Sequence, residues 1–497
     1  MAERAPGGAP GSAGEEPFDR RRAGVLLHVT SLPGPSATGT LGADARRFVD
    51  WLAAGGFGVW QTLPLGPVDA YGSPYCLRSA HAGDARLIDA RDLGELPELP
   101  RSVEGADVAA APLEAYRTFA AAATAEQRRR FAAFVHRHRR WLLPYGAFCV
   151  CRQRHGEPWW HWPAPYRHRD RRALRELLRD AREALRAFLF EQYLFDLQWR
   201  ALKRYANERG VLIFGDLPFY MDRDSVEVWR QPELFRLGAD GEPVVVAGVP
   251  PDYFNADGQL WGNPIYDWER MRRDGFRWWV ERIAGQLERF DLLRIDHFRA
   301  LESYWEIPAG ARTAREGRWQ PGCGEELLTT LCARLGSPPL VAEDLGIITD
   351  EVRRLRDRFR LPGMVVLQFA FDGKPDNPHL PENHVVRSVA YTGTHDNDTT
   401  VGWYAKLDPH ARGLVDVTLG VTAARPMPDV MIEACYASRA QLAVVPLQDL
   451  LRLGSEARMN TPGNREGNWG WRFRWEDVPP GLAAVSRDRA LRSGRLP

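Results

Sequence analysis

Residues 292–298 read Leu-Leu-Arg-Ile-Asp-His-Phe, an apolar run that holds one arginine and reaches an acid at Asp296. A short and nearly continuous apolar segment is typical of a strand that is buried on both faces of a parallel sheet. Burying charged groups in such a strand costs on the order of several kcal/mol unless they are paired or reach water. The stretch therefore predicts a buried parallel strand with functional groups at its carboxyl end.

Seven further apolar runs follow the same pattern, and helix-forming stretches separate them. This alternation predicts parallel βαβ units, and eight such strands can close into a barrel with a filled interior. The predicted fold class is α/β, a (β/α)8 TIM barrel with helical and loop insertions that form subdomains around the active-site face. The predicted strands are residues 24–30, 58–64, 211–217, 292–296, 340–343, 364–369, 389–392 and 442–447.

The predicted organisation is one catalytic barrel over residues 18–480 between two poorly ordered tails, residues 1–17 and 481–497. The gap between the second and third strands is too long for a simple crossover and has apolar residues at three-to-four spacing, which predicts a mainly helical insertion at about 68–209. Residues 248–268 set aromatic side chains among Pro and Gly and predict a lid loop, with a packed, immobile loop as the alternative.

The charges of the chain nearly cancel, with 66 Lys and Arg against 65 Asp and Glu. This balance argues against a nucleic-acid partner, because nucleic-acid binders usually carry a clear basic excess. The six cysteines form no CxxC pair and indicate free thiols in a reducing compartment. No signal peptide and no run of 18 apolar residues is present. We therefore expect a cytoplasmic protein with neither a nucleic-acid nor a membrane partner.

Acidic residues recur at the ends of four predicted strands, at Asp216, at Asp296, at Glu343 with Asp344, and at Asp396 with Asp398. The active sites of barrel enzymes lie at the carboxyl ends of the strands, whereas fold stability gives no reason to bury acids there repeatedly. Helix caps and loop hydrogen bonds could explain any one of these acids but explain all four poorly. A divalent metal site is the other alternative, and Arg294 and His297 argue against it because both would oppose a cation.

Arg294 lies two residues before Asp296 on the same strand, so both side chains leave the same face of that strand. A guanidinium there would keep the carboxylate ionised, as a nucleophile requires. Glu343 arrives from the next strand, and a crowd of like charges tends to raise the pKa of one member, which can then donate a proton. A nucleophilic Asp and a protonated Glu about 5–5.5 Å apart are the layout of a retaining glycosidase.

Longer motifs around these acids resemble those of a known family. RIDHF, VAEDLG and THDN occur in the order found in the α-amylase clan. The fuller matches resemble its amylomaltase, or 4-α-glucanotransferase, branch, in residues 30–35, 60–67, 248–268, 304–309, 391–403, 444–451 and 457–471. The resemblance implies a retaining enzyme without metal or cofactor. Such an enzyme moves α-1,4-glucan segments from a donor maltooligosaccharide to the 4-hydroxyl of glucose or another glucan, through a covalent glycosyl-Asp intermediate.

Position by position, the resemblance implies that Asp296 is the nucleophile, Glu343 the general acid/base and Asp396 the transition-state stabiliser. The substrate-binding residues that it implies are Tyr75, Asp216, Asp252, Tyr253, Phe254, Trp261, Arg294, His297, His395 and Asn460. The chain departs from the family pattern after Tyr75, where it reads CLRSAHAGDARLID, and after RIDHF, where it reads Arg-Ala-Leu. These departures concern chain-length preference and the choice of acceptor. The alternatives are an α-glucan hydrolase of the same clan and a non-catalytic glucan-binding protein.

Overall fold

The computed structural model describes residues 18–156, 158–251 and 256–497. It contains an eight-stranded parallel sheet and a four-stranded antiparallel sheet. In chain order the strands are β1 (Arg22–Leu26), β2 (Val59–Gln61), β3 (Leu212–Leu217), β4 (Val245–Val249), β5 (Gln259–Pro264), β6 (Leu292–Ile295), β7 (Ser303–Pro308), β8 (Arg318–Pro321), β9 (Leu340–Ala342), β10 (Gly363–Val366), β11 (Ser388–Tyr391) and β12 (Leu442–Pro446).

The eight parallel strands form a (β/α)8 barrel and run in the order β10-β11-β12-β1-β2-β3-β6-β9. All eight strands predicted from the apolar runs are found, which confirms the predicted fold. The two edges of the sheet meet where the Ala342 amide donates to the Pro362 carbonyl at 2.8 Å. Asp344 reinforces this closure, because its Oδ1 accepts a hydrogen bond from the Met364 amide at 2.8 Å.

The side chains of the barrel strands alternate between two apolar environments. On β12, Leu442 and Val444 belong to a cluster that also contains Phe214 and Leu292, whereas Ala443 belongs to the larger core between sheet and helices. Strands buried on both faces therefore read as continuous apolar runs, which is why they could be recognised in the sequence.

Helices surround the barrel. They are α1 (Ala43–Ala54), α2 (Pro112–Ala122), α3 (Ala125–His155), α4 (Ala164–Arg167), α5 (Arg171–Asp180), α6 (Arg182–Asn207), α7 (Val226–Arg230), α8 (Trp268–Arg273), α9 (Arg277–Arg289), α10 (Gly324–Leu335), α11 (Asp350–Arg358), α12 (Thr400–Lys406), α13 (Pro409–Leu419), α14 (Asp429–Ala437), α15 (Leu447–Leu450) and α16 (Leu482–Arg492). In the part of the chain that is described, no helix is long and apolar enough to cross a membrane.

The segment between β2 and β3 contains helices α2 to α6. Helix α3 begins at a capping box, in which the Thr124 hydroxyl accepts from the Gln127 amide and the Gln127 side chain accepts from the Thr124 amide. Helix α6 packs against α2 and α3 through a buried aromatic face that includes Phe190 and Tyr193. The insertion therefore has its own apolar contacts and adds a helical layer to one side of the barrel.

Two segments differ from the sequence prediction. Part of the predicted lid loop is regular structure, because β5 pairs antiparallel with β4 in a sheet of the order β5-β4-β7-β8. The predicted C-terminal tail instead forms α16, and Arg495 is completely buried. The Arg495 guanidinium donates to the carbonyl oxygens of Tyr436, Ser438 and Ala440 at 2.7–2.8 Å. A polar composition suggested a loose tail, but these long-range hydrogen bonds hold the segment in place.

Candidate active site

Arg294 is the centre of the polar cluster at the carboxyl ends of the strands. It lies on β6, directly opposite Asp216 on β3, and is 4% exposed. Its Nη1 lies 2.7 Å from Asp216 Oδ2, and its Nη2 lies 3.0 Å from Asp296 Oδ1. One buried cation therefore pairs with two carboxylates. The spacing along β6 predicted the pair with Asp296, and Asp216 is an additional partner.

Tyr75 connects this cluster to the next part of the site. Its hydroxyl donates to Asp216 Oδ2 at 2.7 Å. Its ring is stacked on the imidazole of His395, with a centroid distance of 5.2 Å and an interplanar angle of 17°. Trp469, which the sequence analysis did not single out, lies 6.2 Å from the Tyr75 ring and 6.1 Å from the His395 ring. The cluster thus has an aromatic wall as well as charged groups.

Glu343 follows β9, and backbone amides hold its carboxylate beside Asp296. The His297 amide donates to Glu343 Oε2 at 2.7 Å, and the Leu345 amide donates to Oε1 at 3.0 Å. His297 has a φ of 48°, which is uncommon for a residue other than glycine. This strained turn at the end of β6 aims the amide at Glu343, and such strain is frequent at functional sites.

The protonation of Asp296 and Glu343 depends on two opposing effects. Burial raises the pKa of both carboxyl groups, and the positive charge of Arg294 offsets only part of this rise. Because the two groups lie close together, their protons are lost as those of a pair. The direct ion pair between Arg294 and Asp296 favours the negative charge on Asp296.

Asp396 follows β11 and is the most exposed of the three predicted catalytic acids, with 48% of its side chain accessible. Asn460 Nδ2 donates to its Oδ1 at 2.6 Å, and His395 Nε2 lies 3.4 Å from its Oδ2. Arg458, which the sequence analysis missed, donates to the Asp396 carbonyl at 2.6 Å. The segment that supplies Asn460 therefore also holds the backbone of Asp396, and the arginine of the ARMN motif was the available signal.

Trp261 forms another wall of the site and is 39% exposed. Its ring packs edge-on against His297, with centroids 4.8 Å apart, and its indole N–H donates to Gln259 Oε1 at 3.0 Å. Burial lowers the pKa of His297 to about 3, so this imidazole is neutral. Tyr220, which the sequence analysis also missed, lies 6.2 Å from Trp261 and 6.3 Å from His297.

The structure therefore brings together most of the predicted site residues. Asp252, Tyr253 and Phe254 lie outside the described residues. Two of the strand-end acids have structural contacts instead. Asp344 pairs with Arg356, and Asp398 pairs with Lys406 and accepts from the Ser455 hydroxyl. Within residues 18–156, 158–251 and 256–497, no group of three or more His, Cys, Asp or Glu side chains could hold a metal ion.

A buried cation between two carboxylates, a third carboxyl group with a raised pKa, and flanking aromatic rings suit acid/base and nucleophilic chemistry on a polyhydroxylated substrate. Asp296 and Asp396 are partly exposed, so a ligand can reach both. These acids suit chemistry on a bound substrate better than they suit a binding module, which would gain nothing from them.

Comparison with known proteins gives a consistent result. A family model described as 4-alpha-glucanotransferase matches residues 27–477. The chain is 47% identical to the 4-alpha-glucanotransferase of Thermus thermophilus, over 96% of this chain and 99% of that protein. It is 42% identical to the 4-alpha-glucanotransferase of Aquifex aeolicus, over 91% and 96%. Its structure is similar to that of an amylomaltase from Streptococcus agalactiae in complex with acarbose, with a TM-score of 0.92, 34% identity and coverage of 96% and 100%.

Proposed function

This chain belongs to the 4-alpha-glucanotransferase family and is a 4-alpha-glucanotransferase; we propose that it works by a retaining mechanism with Asp296 as nucleophile. Glu343 is the general acid/base, and Asp396 stabilises the transition state. The ion pair between Arg294 and Asp296 carries this proposal, because the guanidinium favours the ionised form of a nucleophile that lies beside Glu343. The substrates are α-1,4-glucans, and the acceptor is glucose or another glucan.

In the first step Asp296 attacks C1 of an α-1,4-linked glucose unit while Glu343 protonates the glycosidic oxygen. The bond from C1 to that oxygen breaks, and the leaving glucan departs with a new hydroxyl group. A β-glycosyl ester forms on Asp296. Arg294 supports this step because it keeps the Asp296 carboxylate ionised and directed into the site.

In the second step the 4-hydroxyl of an acceptor sugar attacks C1 of the ester, and the Glu343 carboxylate removes the proton of that hydroxyl. Asp296 leaves as a carboxylate, and Glu343 is protonated again. Two inversions at C1 give net retention, so the product has a new α-1,4 bond. No redox cofactor and no metal takes part in this proposal.

Asp396 and the aromatic wall act on the donor sugar. The described contacts of Asp396 Oδ2 include only the 3.4 Å approach of His395, so this oxygen can accept a hydrogen bond from a ring hydroxyl. Such a bond strengthens as positive charge develops on the sugar in the transition state. The Tyr75 ring offers a face for the sugar, and Asp216 orients Tyr75 through the hydrogen bond to its hydroxyl.

Transfer must outcompete hydrolysis, because water is present at about 55 M and an acceptor at about 1 mM. This ratio requires a preference for sugar of roughly 6 kcal/mol, whereas a well-positioned acceptor can gain about 7–11 kcal/mol. Trp261 supports an acceptor platform, since a partly exposed indole beside the acid/base loop can bind a sugar ring and displace water. Membership of the 4-alpha-glucanotransferase family decides against the clan hydrolase and the non-catalytic binding protein.

Incubation with maltotriose tests the proposal. The wild-type enzyme is expected to produce glucose together with longer maltooligosaccharides, whereas a hydrolase would produce only shorter sugars. Asp296→Asn should lower the rate of disproportionation by at least about 10³-fold, because the nucleophile is lost. Asp357→Asn, in a carboxylate whose pairing partner is Arg356 on the outer helix α11, is the control and should remain active. An Asp296→Asn variant within about tenfold of wild type would refute the assignment.

The cellular location is also a proposal. All six cysteines are unpaired, which supports an enzyme that works in the cytoplasm.

A further inference from the structure

One buried carboxylate holds both ends of the loop that carries Asp396. Asp449 lies on α15, directly after the last barrel strand, and is 1% exposed. Its Oδ2 accepts from the Thr392 hydroxyl at 2.6 Å and from the Thr400 hydroxyl at 2.7 Å. Its Oδ1 accepts from the Thr400 amide at 2.7 Å. Thr392 follows β11 and Thr400 begins α12, so these bonds tie together the two ends of the loop 392–400.

Fold stability alone does not account for an acid at this position. Among the described residues, no lysine or arginine forms an ion pair with Asp449, which is completely enclosed. A carboxylate buried without a counter-ion costs free energy, and a well-packed apolar residue often serves stability better. All three hydrogen bonds that Asp449 accepts from described residues come from the ends of one loop, and that loop carries Asp396.

The middle of the loop is held from a different direction. Asn460 and Arg458 contact the side chain and the carbonyl of Asp396, and both belong to the segment after α15. These contacts orient Asp396 toward the substrate side, whereas Asp449 fixes the base of the loop against the barrel strands. Asp449 and the segment after α15 thus hold the loop at different points, in addition to the contacts of Asp398 with Lys406 and Ser455.

We propose that Asp449 is a positioning residue that holds Asp396 where its carboxylate can stabilise the transition state. The inference rests on the proposed role of Asp396. A displacement of about 1 Å can cost about 10²-fold in rate, so loosening the loop lowers kcat. KM changes less than kcat, because Tyr75, Arg294 and Trp261 are attached to other parts of the barrel and only His395 shares the loop with Asp396.

Asp449→Asn is the first test. Asparagine keeps the shape but loses the charge, and its NH2 group only donates, so the bonds to the two threonine hydroxyls persist only if both hydroxyls turn to accept. We expect kcat for maltotriose disproportionation to fall at least about tenfold, with KM within about threefold of wild type. A kcat within about threefold of wild type would overturn the proposal.

Asp429→Asn is the matched control. Asp429 is also largely buried, pairs with Arg452 and Arg489, and lies on α14, away from the loop 392–400. We expect this variant to lower Tm but to leave kcat within about threefold of wild type, because only a structural ion pair is lost. If Asp449→Asn lowers kcat no more than Asp429→Asn does, Asp449 is only a structural residue.

A second pair of variants keeps the test valid if Asp449→Asn does not fold. Thr392→Ser retains the hydroxyl that donates to Asp449, and Thr392→Val removes it with little change in shape. We expect kcat of the Ser variant to stay within about twofold of wild type and that of the Val variant to fall several-fold, by roughly the effect of one lost buried hydrogen bond. Equal kcat values for the two variants would contradict the proposal.

The double variant identifies the path of the effect. If Asp449 acts through Asp396, adding Asp449→Asn to Asp396→Asn should lower kcat by less than about threefold, since the positioned group is already gone. If the fold losses in kcat of the two single variants multiplied in the double variant, Asp449 would act independently of Asp396. An active Asp396→Asn enzyme would refute the proposed function of Asp396 itself. A slow Asp396→Asn enzyme with a normal Asp449→Asn enzyme would refute only the positioning role.

Discussion

Two regions of the molecule bury acidic side chains in different ways. At the carboxyl ends of the barrel strands, Asp216 and Asp296 flank the guanidinium of Arg294 at 2.7 and 3.0 Å. In the helical insertion, Glu191 on α6 is 7% exposed and accepts a hydrogen bond from Gln192 Nε2 at 3.1 Å. No lysine or arginine of the described chain pairs with Glu191, and burial raises its pKa to about 8.

The comparison shows that a raised pKa does not by itself identify a catalytic acid. Burial raises the pKa of Glu191 as it raises that of Asp296 and Glu343. The barrel acids differ because they converge on one cation and because Asp296 remains 29% exposed, so that a ligand can reach it. Convergence and access separate the proposed catalytic group from an acid that is merely buried.

Removing the shared cation should have the largest effect. Arg294→Met leaves Asp216 and Asp296 close together without compensation, so one carboxyl group takes up a proton or moves away. We expect kcat/KM for maltotriose disproportionation, measured by product analysis, to fall at least about 10³-fold. Arg294→Lys is the control, because it keeps the charge but not the two-sided geometry, and should lose less activity. If kcat/KM of Arg294→Met stayed within about tenfold of wild type, the shared cation would not distinguish the barrel acids from Glu191.

Removal of the buried acid Glu191 in the helical insertion should affect stability and not catalysis. Because the pKa of Glu191 is about 8 in the folded protein against an ordinary value near 4.5, the folded state holds a proton that the unfolded state has lost. Stability therefore falls as the pH rises from about 4.5 to about 8. Glu191→Gln should raise the unfolding free energy by up to a few kcal/mol at pH 9 and hardly change it at pH 4, as measured by urea unfolding.

Two controls accompany that experiment. Glu183→Gln alters an exposed acid of the same helix that pairs with Arg117, and its effect on the unfolding free energy should be small. The disproportionation rate of Glu191→Gln should equal that of wild type. An unchanged stability at pH 9 would show that Glu191 finds compensation when it ionises.

Replacing Trp261 with Ala should shift the balance between transfer and hydrolysis. Loss of the indole opens the acceptor side to water, and we expect the ratio of hydrolysis to transfer to rise by roughly tenfold, about 1.4 kcal/mol. The ratio follows from the glucose released and the chain lengths formed from maltotriose. Trp319→Ala is a matched control, because Trp319 is 40% exposed on β8 of the same sheet. If the ratio of hydrolysis to transfer were equal in Trp261→Ala and Trp319→Ala, Trp261 would have no role in acceptor binding.

The smallest expected effect is a shift of the pH profile. The acid limb of kcat/KM reports the protonation of Asp296, whose pKa is raised by burial and by the negative charges of Asp216 and Glu343. Asp216→Asn removes one of these charges, so the pKa of Asp296 falls and the acid limb moves to lower pH, by about one unit or less. A shift to higher pH would show that Asp216 acts mainly by orienting Arg294.

The sequence predicted the barrel more fully than it predicted the surroundings of the site. Each barrel strand is a local apolar run, and the acids at the strand ends interrupt those runs visibly. Arg294 and Asp296 could be paired in advance because alternation along a strand is a local rule. Arg458 and Trp469 could not be identified in this way, because they reach Asp396 and Tyr75 from segments distant in the sequence.

Sequence by itself determined the eight strands, the order of the acids along them and, through long motifs, the family. Only the tertiary structure separated the acids that line the candidate site from those with structural contacts. Asp344 closes the barrel through Met364 and Arg356, Asp449 holds the loop of Asp396, and the C-terminal segment is a helix anchored by Arg495. The physical reason is that periodicity acts within a segment, whereas burial and hydrogen-bond partners depend on which segments pack together.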